Sequence, residues 1–494
     1  MTDDANRKSC VKDEGDGPMT KARKITINPV SRLEGHGKVT IHLDADGEVS
    51  DARFHVTQFR GFERFCEGRP FEEMPVITQR ICGICPVSHQ LASAKACDAI
   101  LGVDIPETAK LLRELEHMGQ FIQSHALHFF HLASPDLLLG WDADPAKRNV
   151  VGVIADFPEL AVKGIRLRKF GQEIIKALGG KKIHPSFAVP GGVNSALPKE
   201  DRDNLLKGFQ EAYETCRTAI NLIKGWTQKN LEEVKKFANF ASNYAGLMDD
   251  EGCPDLYEGN LRIVSPDKEI VAEFDPAEYL SFIGEHVESW SYLKFPFFKP
   301  QGYPDGCYRV GPLGRLNAAD RMRTPRADEE FQAYREMSGD GLSGCTLFYH
   351  YTRLIELLSC LERAEEILTG DAVCGHDIRI TADPANEEGV GVIEAPRGTL
   401  IHHYFVDKYG AIQRTNLIVA TGHNNIAMNR SIRLVAQEFI HDGEVREGIL
   451  NRVEGAIRCY DPCLSCSTHA LGQMALQIEI YGPDGVILNK FQRD

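Results

Sequence analysis

A mainly helical α+β fold with small peripheral β-sheets is the class this sequence predicts. Two patterns and a length carry that expectation. Several long stretches repeat apolar residues at 3.6-type spacing, and others, near residue 24 and around 388–421, read as strands. The chain has 494 residues, enough for a large core in two or three layers. Its composition, 43% hydrophobic and 26% charged, is ordinary for a soluble globular protein.

Residues 1–23 are polar, with Gly, Asp and Lys prominent and no apolar stretch of the kind a secretory signal needs, so they read as a mobile arm. Residues 24–58 alternate in character (Lys24-Ile25-Thr26-Ile27, then Lys38-Val39-Thr40-Ile41-His42-Leu43), with a turn at Asp44-Ala45-Asp46-Gly47, and predict a small antiparallel sheet. Pro86 suits a first helical position, and Leu91, Ala94, Lys95 and Ile100 continue that helix. Leu111, Leu112, Leu115, Met118, Phe121 and Ile122 predict a longer helix over 107–132. Another is expected over 157–178. A long helix or hairpin with a solvated Glu/Lys face is expected over 199–239.

Residues 255–300 return to strand and loop, with an aromatic run at Trp290, Tyr292, Phe295, Phe297 and Phe298 that reads as core or subunit contact. Residues 348–369 predict a helix, 388–421 strands around Glu394-Ala395-Pro396-Arg397-Gly398, and 427–440 and 444–458 two more helices. After them, Leu476–Tyr481, the turn Gly482-Pro483-Asp484-Gly485 and Val486–Leu488 form a hairpin pattern.

The net charge of −15 argues against a nucleic-acid partner, and no apolar run reaches the length of a membrane span. Fourteen cysteines without secretory context point to a reducing, cytoplasmic compartment and to free or metal-bound thiols.

Four of those cysteines form two Cys-x-x-Cys pairs, Cys82/Cys85 in Arg80–His89 and Cys463/Cys466 in Asp461–His469. Each is followed three or four residues later by a histidine, His89 or His469, and the shared grammar suggests one site closed by both ends of the chain. Four thiolates suit zinc, iron or nickel. Structural zinc pairs usually lie roughly 15–20 residues apart, and here most of the protein intervenes. A redox dithiol would want a short strand–helix unit that neither pair has.

RICGICPVSH and DPCLSCSTH resemble the two nickel-binding signatures of [NiFe] hydrogenase large subunits. Arg32-Leu33-Glu34-Gly35-His36, Arg60-Gly61-Phe62-Glu63 and Glu394–Gly398 resemble further landmarks of that family in the same order, from about residue 24 onward. Pro190–Asn194, Arg309–Arg315 and the DPCLSCSTHALGQM ending look most like the soluble, cytoplasmic NAD-reducing branch.

The resemblance implies a central helix bundle burying a Ni-Fe(CO)(CN)2 centre that cleaves H2 reversibly and heterolytically. Cys82 and Cys463 would be terminal nickel ligands, and Cys85 and Cys466 would bridge nickel to iron. Glu34 would carry protons beside Cys463. Arg397 would stand over the open metal face, either organising the site by charge and hydrogen bonding, the favoured role since a guanidinium is a very poor base, or acting as a base. His89 would hydrogen-bond a bridging thiolate, Asp461 would share the polar surroundings, and Thr421 would reach a cyanide. Glu63, His469 and the Leu417 carbonyl would bind Mg2+.

Many members carry Asp in a DHxxH helix where this chain has Ser124-His125-Ala126-Leu127-His128, so the job of positioning the arginine would pass to Ser124, a water or Asp461. His125, His128 and His131 share a helix face and read as packed or hydrogen-bonded groups. The resemblance also implies a single domain over 24–469 and a maturation endopeptidase that cuts after His469, releasing 470–494; the sequence then reads as an unprocessed precursor.

Gly389-Val390-Gly391 lacks the remainder of a dinucleotide fingerprint, and the other cysteines form no iron–sulfur motif. Electrons would therefore leave through a small subunit carrying iron–sulfur clusters, and then through diaphorase subunits binding FMN and NAD. The alternatives are the same site coupled to NADP, a deazaflavin or a heterodisulfide reductase, or a non-enzymatic subunit of zinc-stabilised or complex I type.

Overall fold

The computed structural model describes residues 23–339 and 341–468, together with the backbone of the strands Leu476–Tyr481 and Ile487–Arg493. The expected N-terminal arm, apart from Arg23, and the junction between His469 and Ala470 lie outside the described residues.

The alternating N-terminal segment forms a three-stranded antiparallel meander, Lys24–Ile27, Gly37–Leu43 and Val49–Val56. Val39, Ile41, Leu43 and Phe54 are buried, and the meander packs on the helix Asn425–Phe439, where Asn429 Oδ1 accepts the Phe54 N–H at 2.8 Å.

The bundle is built around the helix Glu107–Leu127, which packs on Pro158–Gly179 and on Phe348–Thr369. Its periodic residues Leu112, Leu115, Phe121 and Ile122 are fully buried, each side chain contributing about 1.5–3 kcal/mol of burial. A Cβ on Gly171 would sit 2.6 Å from Gly119 O and Gln123 N, so glycine sets the closeness of the first pair. The expected helix over 107–132 changes character at its end: residues His128–Ala133 wind as a π-turn, a form common at functional sites.

The stretch 199–239 is three helices rather than one or two: Lys199–Leu206, Phe209–Lys229 and Leu231–Lys236. The first break falls at Gly208, where a Cβ would meet the Phe170 ring at 2.4 Å. In the aromatic run, Phe295 and Phe298 are buried in a strand paired with Ile283–His286, while Trp290, Tyr292 and Phe297 are half-buried. The helices Gly311–Ala318 and Pro325–Met337 lie in a stretch where the sequence drew no expectation.

The second core lies between the helix Pro86–Leu101 and an antiparallel sheet of Glu388–Ala395, Gly398–Val406 and Ile412–Ile418. A Cβ on Gly391 would stand 2.0 Å from Ala92 O, so Gly389-Val390-Gly391 serves helix–sheet contact. The helix Glu447–Cys459 then delivers the second cysteine pair into this core, beside Val87, Leu91, Leu400 and Leu417. The last described strands, Leu476–Tyr481 and Ile487–Arg493, pair antiparallel.

Candidate metal centre

Cys82 ends a 3-10 turn over Gln79–Ile81, and Cys85 caps the helix Pro86–Leu101 with Pro86 in its first turn. A helix N-terminus presents unpaired N–H groups and favours negative charge on a nearby thiolate. Ile84 N and Cys85 N donate to Cys82 Sγ at 3.1 and 3.3 Å. Gln120 Nε2 and Gln123 Nε2, from the helix Glu107–Leu127, both donate to Ile84 O at 2.8 Å and fix the loop between the two cysteines.

The second pair arrives from the far end of the chain. Cys82 Sγ lies 3.4 Å from Cys463 Sγ and Cys85 Sγ 3.8 Å from Cys466 Sγ, while Cys463 and Cys466 are joined as a disulfide. All four sulfurs lie within 4.8 Å of one another and all four residues are buried. The hydrogen bond with Cys85, aided by Arg397, holds the Cys82 thiol below its usual range against burial. The same pairing, with burial, pushes Cys85 well up. Several thiolates so close in a buried site need a cation among them, and a soft donor set of this kind fits nickel, iron or zinc.

Glu34 and Cys463 pair as a parallel β-bridge, with Leu464 N donating to Glu34 O at 3.0 Å. Cys463 Sγ lies 3.1 Å from Glu34 Oε2, and Ser465 N and Oγ donate to the same carboxylate at 3.1 and 2.5 Å. Thr421 Oγ1 accepts the Cys463 N–H at 2.9 Å.

Arg397 sits in the turn between the strands Glu388–Ala395 and Gly398–Val406. Its Nε donates to Asp461 O at 2.7 Å, its Nη2 lies 3.2 and 3.1 Å from the two Asp461 carboxylate oxygens, and its Nη1 reaches Ser124 Oγ at 3.3 Å. Ser124 and Asp461 thus both hold the arginine. Burial lowers the Arg397 pKa, but Asp461 and the thiols of Cys85 and Cys82 raise it above its ordinary value overall. Burial raises Asp461 despite Arg397 and Arg353.

His89 Nδ1 lies 3.1 Å from His402 Nε2, His402 Nδ1 lies 2.6 Å from the Tyr404 hydroxyl, and Tyr404 donates to Ser93 Oγ at 2.9 Å. His89 Nε2 is buried without a hydrogen-bond partner among the described residues. Burial, with the charge of Arg60, pushes His89 down to about 3, so the ring is neutral.

Glu63 is buried in the short helix Phe62–Cys66, and its Oε1 accepts the Leu417 N–H at 2.9 Å. The Thr468 carbonyl accepts from Arg60 N and Gly61 N at 3.1 and 3.4 Å, which brings the described end of the chain to the same turn. His469 lies outside the described residues. His125 pairs with Glu356 at 3.0 Å, and His128 Nε2 meets Arg458 O at 2.7 Å.

Sequence reasoning missed the supports of these groups. Asp136 Oδ1 meets Arg32 at 2.5 Å and Oδ2 meets Arg458 at 3.0 Å, so one carboxylate ties the segment carrying Glu34 to the helix that delivers Cys463. Ser465, Gln120, Gln123 and His402 were also passed over. Only the two glutamines left a signal, as polar residues near Ser124 on its helix, Gln123 beside it and Gln120 one turn before it.

Residues 60–151 and 267–469 match the nickel-dependent hydrogenase family, and residues 24–59 match a family described as HoxL-like. The chain is 44% identical to the NAD-reducing hydrogenase HoxS subunit beta of Cupriavidus necator, over 96% of this chain and all of that protein. It is 45% identical to an F420-non-reducing hydrogenase subunit of Methanothermobacter thermautotrophicus, over 94% of this chain and 99% of that one. Its fold matches the solved structure of an NAD+-reducing [NiFe]-hydrogenase in the H2-reduced state with a TM-score of 0.88 and 47% identity, covering 91% of this chain and all of the other. The Ni-Fe-Se hydrogenase of Desulfovibrio vulgaris Hildenborough shares the fold alone, at a TM-score of 0.74 and 24% identity, with 91% of this chain and all of that one covered.

Proposed function

The chain belongs to the nickel-dependent hydrogenase family as a large subunit, and from that premise we propose how its residues divide the work. The observation that carries the reading is the convergence of four buried cysteine sulfurs from both ends of the chain within 4.8 Å, with Glu34 on Cys463 and Arg397 beside Asp461. Cys82, Cys85, Cys463 and Cys466 would hold nickel, and Cys85 and Cys466 would also hold an iron carrying CO and cyanide. When bound, that pair supplies the polarising centre at which H2 is split heterolytically.

The protein's residues then manage the proton and the polar surroundings. With the Cys463–Cys466 disulfide reduced so that the site can hold metal, a proton on Cys463 Sγ would pass to Glu34 Oε2, 3.1 Å away and within the reach that proton transfer needs. Ser465 aims that carboxylate by two hydrogen bonds. Arg397, kept charged and oriented by Asp461 and Ser124, presents fixed positive charge to the site. Neutral His89, whose Nε2 is unpaired among the described residues, would support a ligand thiolate, and Thr421, which holds the Cys463 backbone, would donate its hydroxyl to a cyanide. Glu63, the Leu417 carbonyl and His469 would hold Mg2+, and the Thr468 carbonyl next to His469 already docks at Arg60 and Gly61, beside Glu63.

Residues 24–469 act as one domain, and 470–494 are removed by an endopeptidase after His469. The family match ending at residue 469 supports this boundary. Electrons pass to a small subunit with iron–sulfur clusters, then through FMN- and NAD-binding subunits to NAD+. The 47% identity to a solved NAD+-reducing hydrogenase supports this acceptor, while 45% identity to an F420-non-reducing relative supports a second reading with another acceptor. A cytoplasmic location is consistent with helices that, among the described residues, are never long and apolar enough to cross a membrane.

The test is the nickel, iron and zinc content of the assembled enzyme, with H2-dependent reduction of a dye and of NAD+. Nickel and iron in near-equal amounts, lost together with activity in Cys82→Ser, support the reading. Dye reduction surviving that substitution overturns it. Dye reduction without NAD+ reduction transfers the assignment to another acceptor.

A further inference from the structure

Glu116 lies in the middle of the helix Glu107–Leu127, fully buried, and neither of its carboxylate oxygens has a hydrogen-bond partner among the described residues. One turn further on, Gln120 Oε1 is also buried without a partner. Residues at i and i+4 on a helix are side-by-side neighbours. Acceptors with no donor between them are what a missing proton looks like in a buried site, because a protonated carboxyl is a donor and an ionised one is not. The cation that acts on it electrostatically, Arg113, does not supply the remedy. Arg113 is committed to Asp98 at 2.6 Å, to the Tyr257 hydroxyl at 3.0 Å, and to the carbonyls of Val189 and Gly192.

We propose that Glu116 is a neutral carboxylic acid whose O–H donates to Gln120 Oε1, and that it is a positioning residue for the Cys82–Cys85 loop. With its oxygen so held, the Gln120 amide faces its N–H to Ile84 O at 2.8 Å, and Ile84 N in turn donates to Cys82 Sγ at 3.1 Å. The chain Glu116–Gln120–Ile84–Cys82 thus runs from the middle of the bundle to a ligand sulfur. Burial pushes the Glu116 carboxyl well above its ordinary range, only partly offset by Arg113, which agrees with the geometry. The loop-holding role rests on Cys82 and Cys85 being metal ligands; the protonation of Glu116 does not.

The experiment has two readouts on the assembled enzyme. Infrared spectra of protein labelled with 13C-glutamate, wild type against Glu116→Gln in alkaline buffer, are expected to show a protonated-carboxyl C=O stretch present only in the wild type. Its absence from the wild type overturns the proposal whatever the cysteines hold. Nickel release to a chelator is expected to be about tenfold faster in Glu116→Leu, the size typical for losing a supporting hydrogen bond, and near wild type in Glu116→Gln, whose amide N–H can replace the O–H donor. Glu116→Leu releasing nickel at the wild-type rate overturns the positioning role. Glu116→Gln releasing it as fast as Glu116→Leu overturns the donor assignment. If Glu116→Leu fails to assemble, the infrared comparison and Glu116→Gln decide.

Discussion

Glu34 and Cys463, 429 residues apart, meet twice: they pair as a β-bridge with Leu464 N bonded to Glu34 O, and Cys463 Sγ lies 3.1 Å from Glu34 Oε2. The backbone bridge fixes where the carboxylate begins, and Ser465 fixes where it ends. A carboxylate held this way acts at one sulfur rather than as a general surface acid. Glu34→Gln keeps the shape and removes the proton site. H2-dependent dye reduction is expected to fall by about 10²-fold or more, the usual worth of a general acid–base group, with nickel content unchanged. Loss of nickel along with activity would make Glu34 a folding group instead.

Arg397 makes three kinds of contact that only a guanidinium fork supplies together: Nε to Asp461 O, Nη2 to the Asp461 carboxylate, and Nη1 to Ser124. Lysine keeps the charge and loses the fork. Arg397→Lys is expected to load nickel normally and to lose at least about tenfold in turnover, since fixed orientation is what makes such a charge effective. Full turnover in that variant would reduce the requirement to charge alone.

Much of this was legible in the sequence. The cysteine pairs, Glu34 and Arg397 sat in short motifs, and the apolar periodicity of 348–369 marked a helix with the observed bounds Phe348–Thr369. The hidden part is what no local pattern encodes. Asp136 is an ordinary acid in Ser134-Pro135-Asp136 until the fold places it between Arg32 and Arg458. Likewise the charged stretch 199–239 left open whether and where it breaks, because Gly208 is required by the ring of Phe170 from another helix.

The Asp136 link has a thermodynamic consequence. Its two guanidinium partners are largely buried, and removing the carboxylate leaves them uncompensated. Asp136→Ala is expected to cost about 3–5 kcal/mol of stability, the range for breaking a buried ion pair, read as a lower urea midpoint. A midpoint within error of wild type would mean that Asn451 and Glu454, which touch the same arginines, suffice.

Gly391 tests the seam between the helix Pro86–Leu101 and the sheet. A Cβ there would stand 2.0 Å from Ala92 O and 2.5 Å from Ala96 N. Gly391→Ala is therefore expected to push away the helix whose N-terminal cap is Cys85. The expected cost is about 1–3 kcal/mol of overpacking, with reduced nickel loading as the functional readout. Normal loading would show that the helix can shift without moving its N-terminal turn.

Glu356 and His125 should contribute to acid sensitivity. Burial opposes ionisation of Glu356, but Arg315 and His125 hold it down to about 2, below its unfolded value near 4.5. A depressed carboxylate contributes stability above the unfolded pKa and loses it as pH falls through the folded one. Burial likewise lowers His125 to about 4 from 6.5, so in that interval the unfolded chain binds the extra proton. For both groups the unfolded state carries more protons, so stability must rise with pH, from about 2 to 4.5 for Glu356 and from about 4 to 6.5 for His125. Urea unfolding across that range should show the rise. Glu356→Gln should flatten its lower part and lower stability at neutral pH, because Arg315 loses its buried partner while keeping Glu394. An unchanged slope in Glu356→Gln would place the acid sensitivity elsewhere in the core.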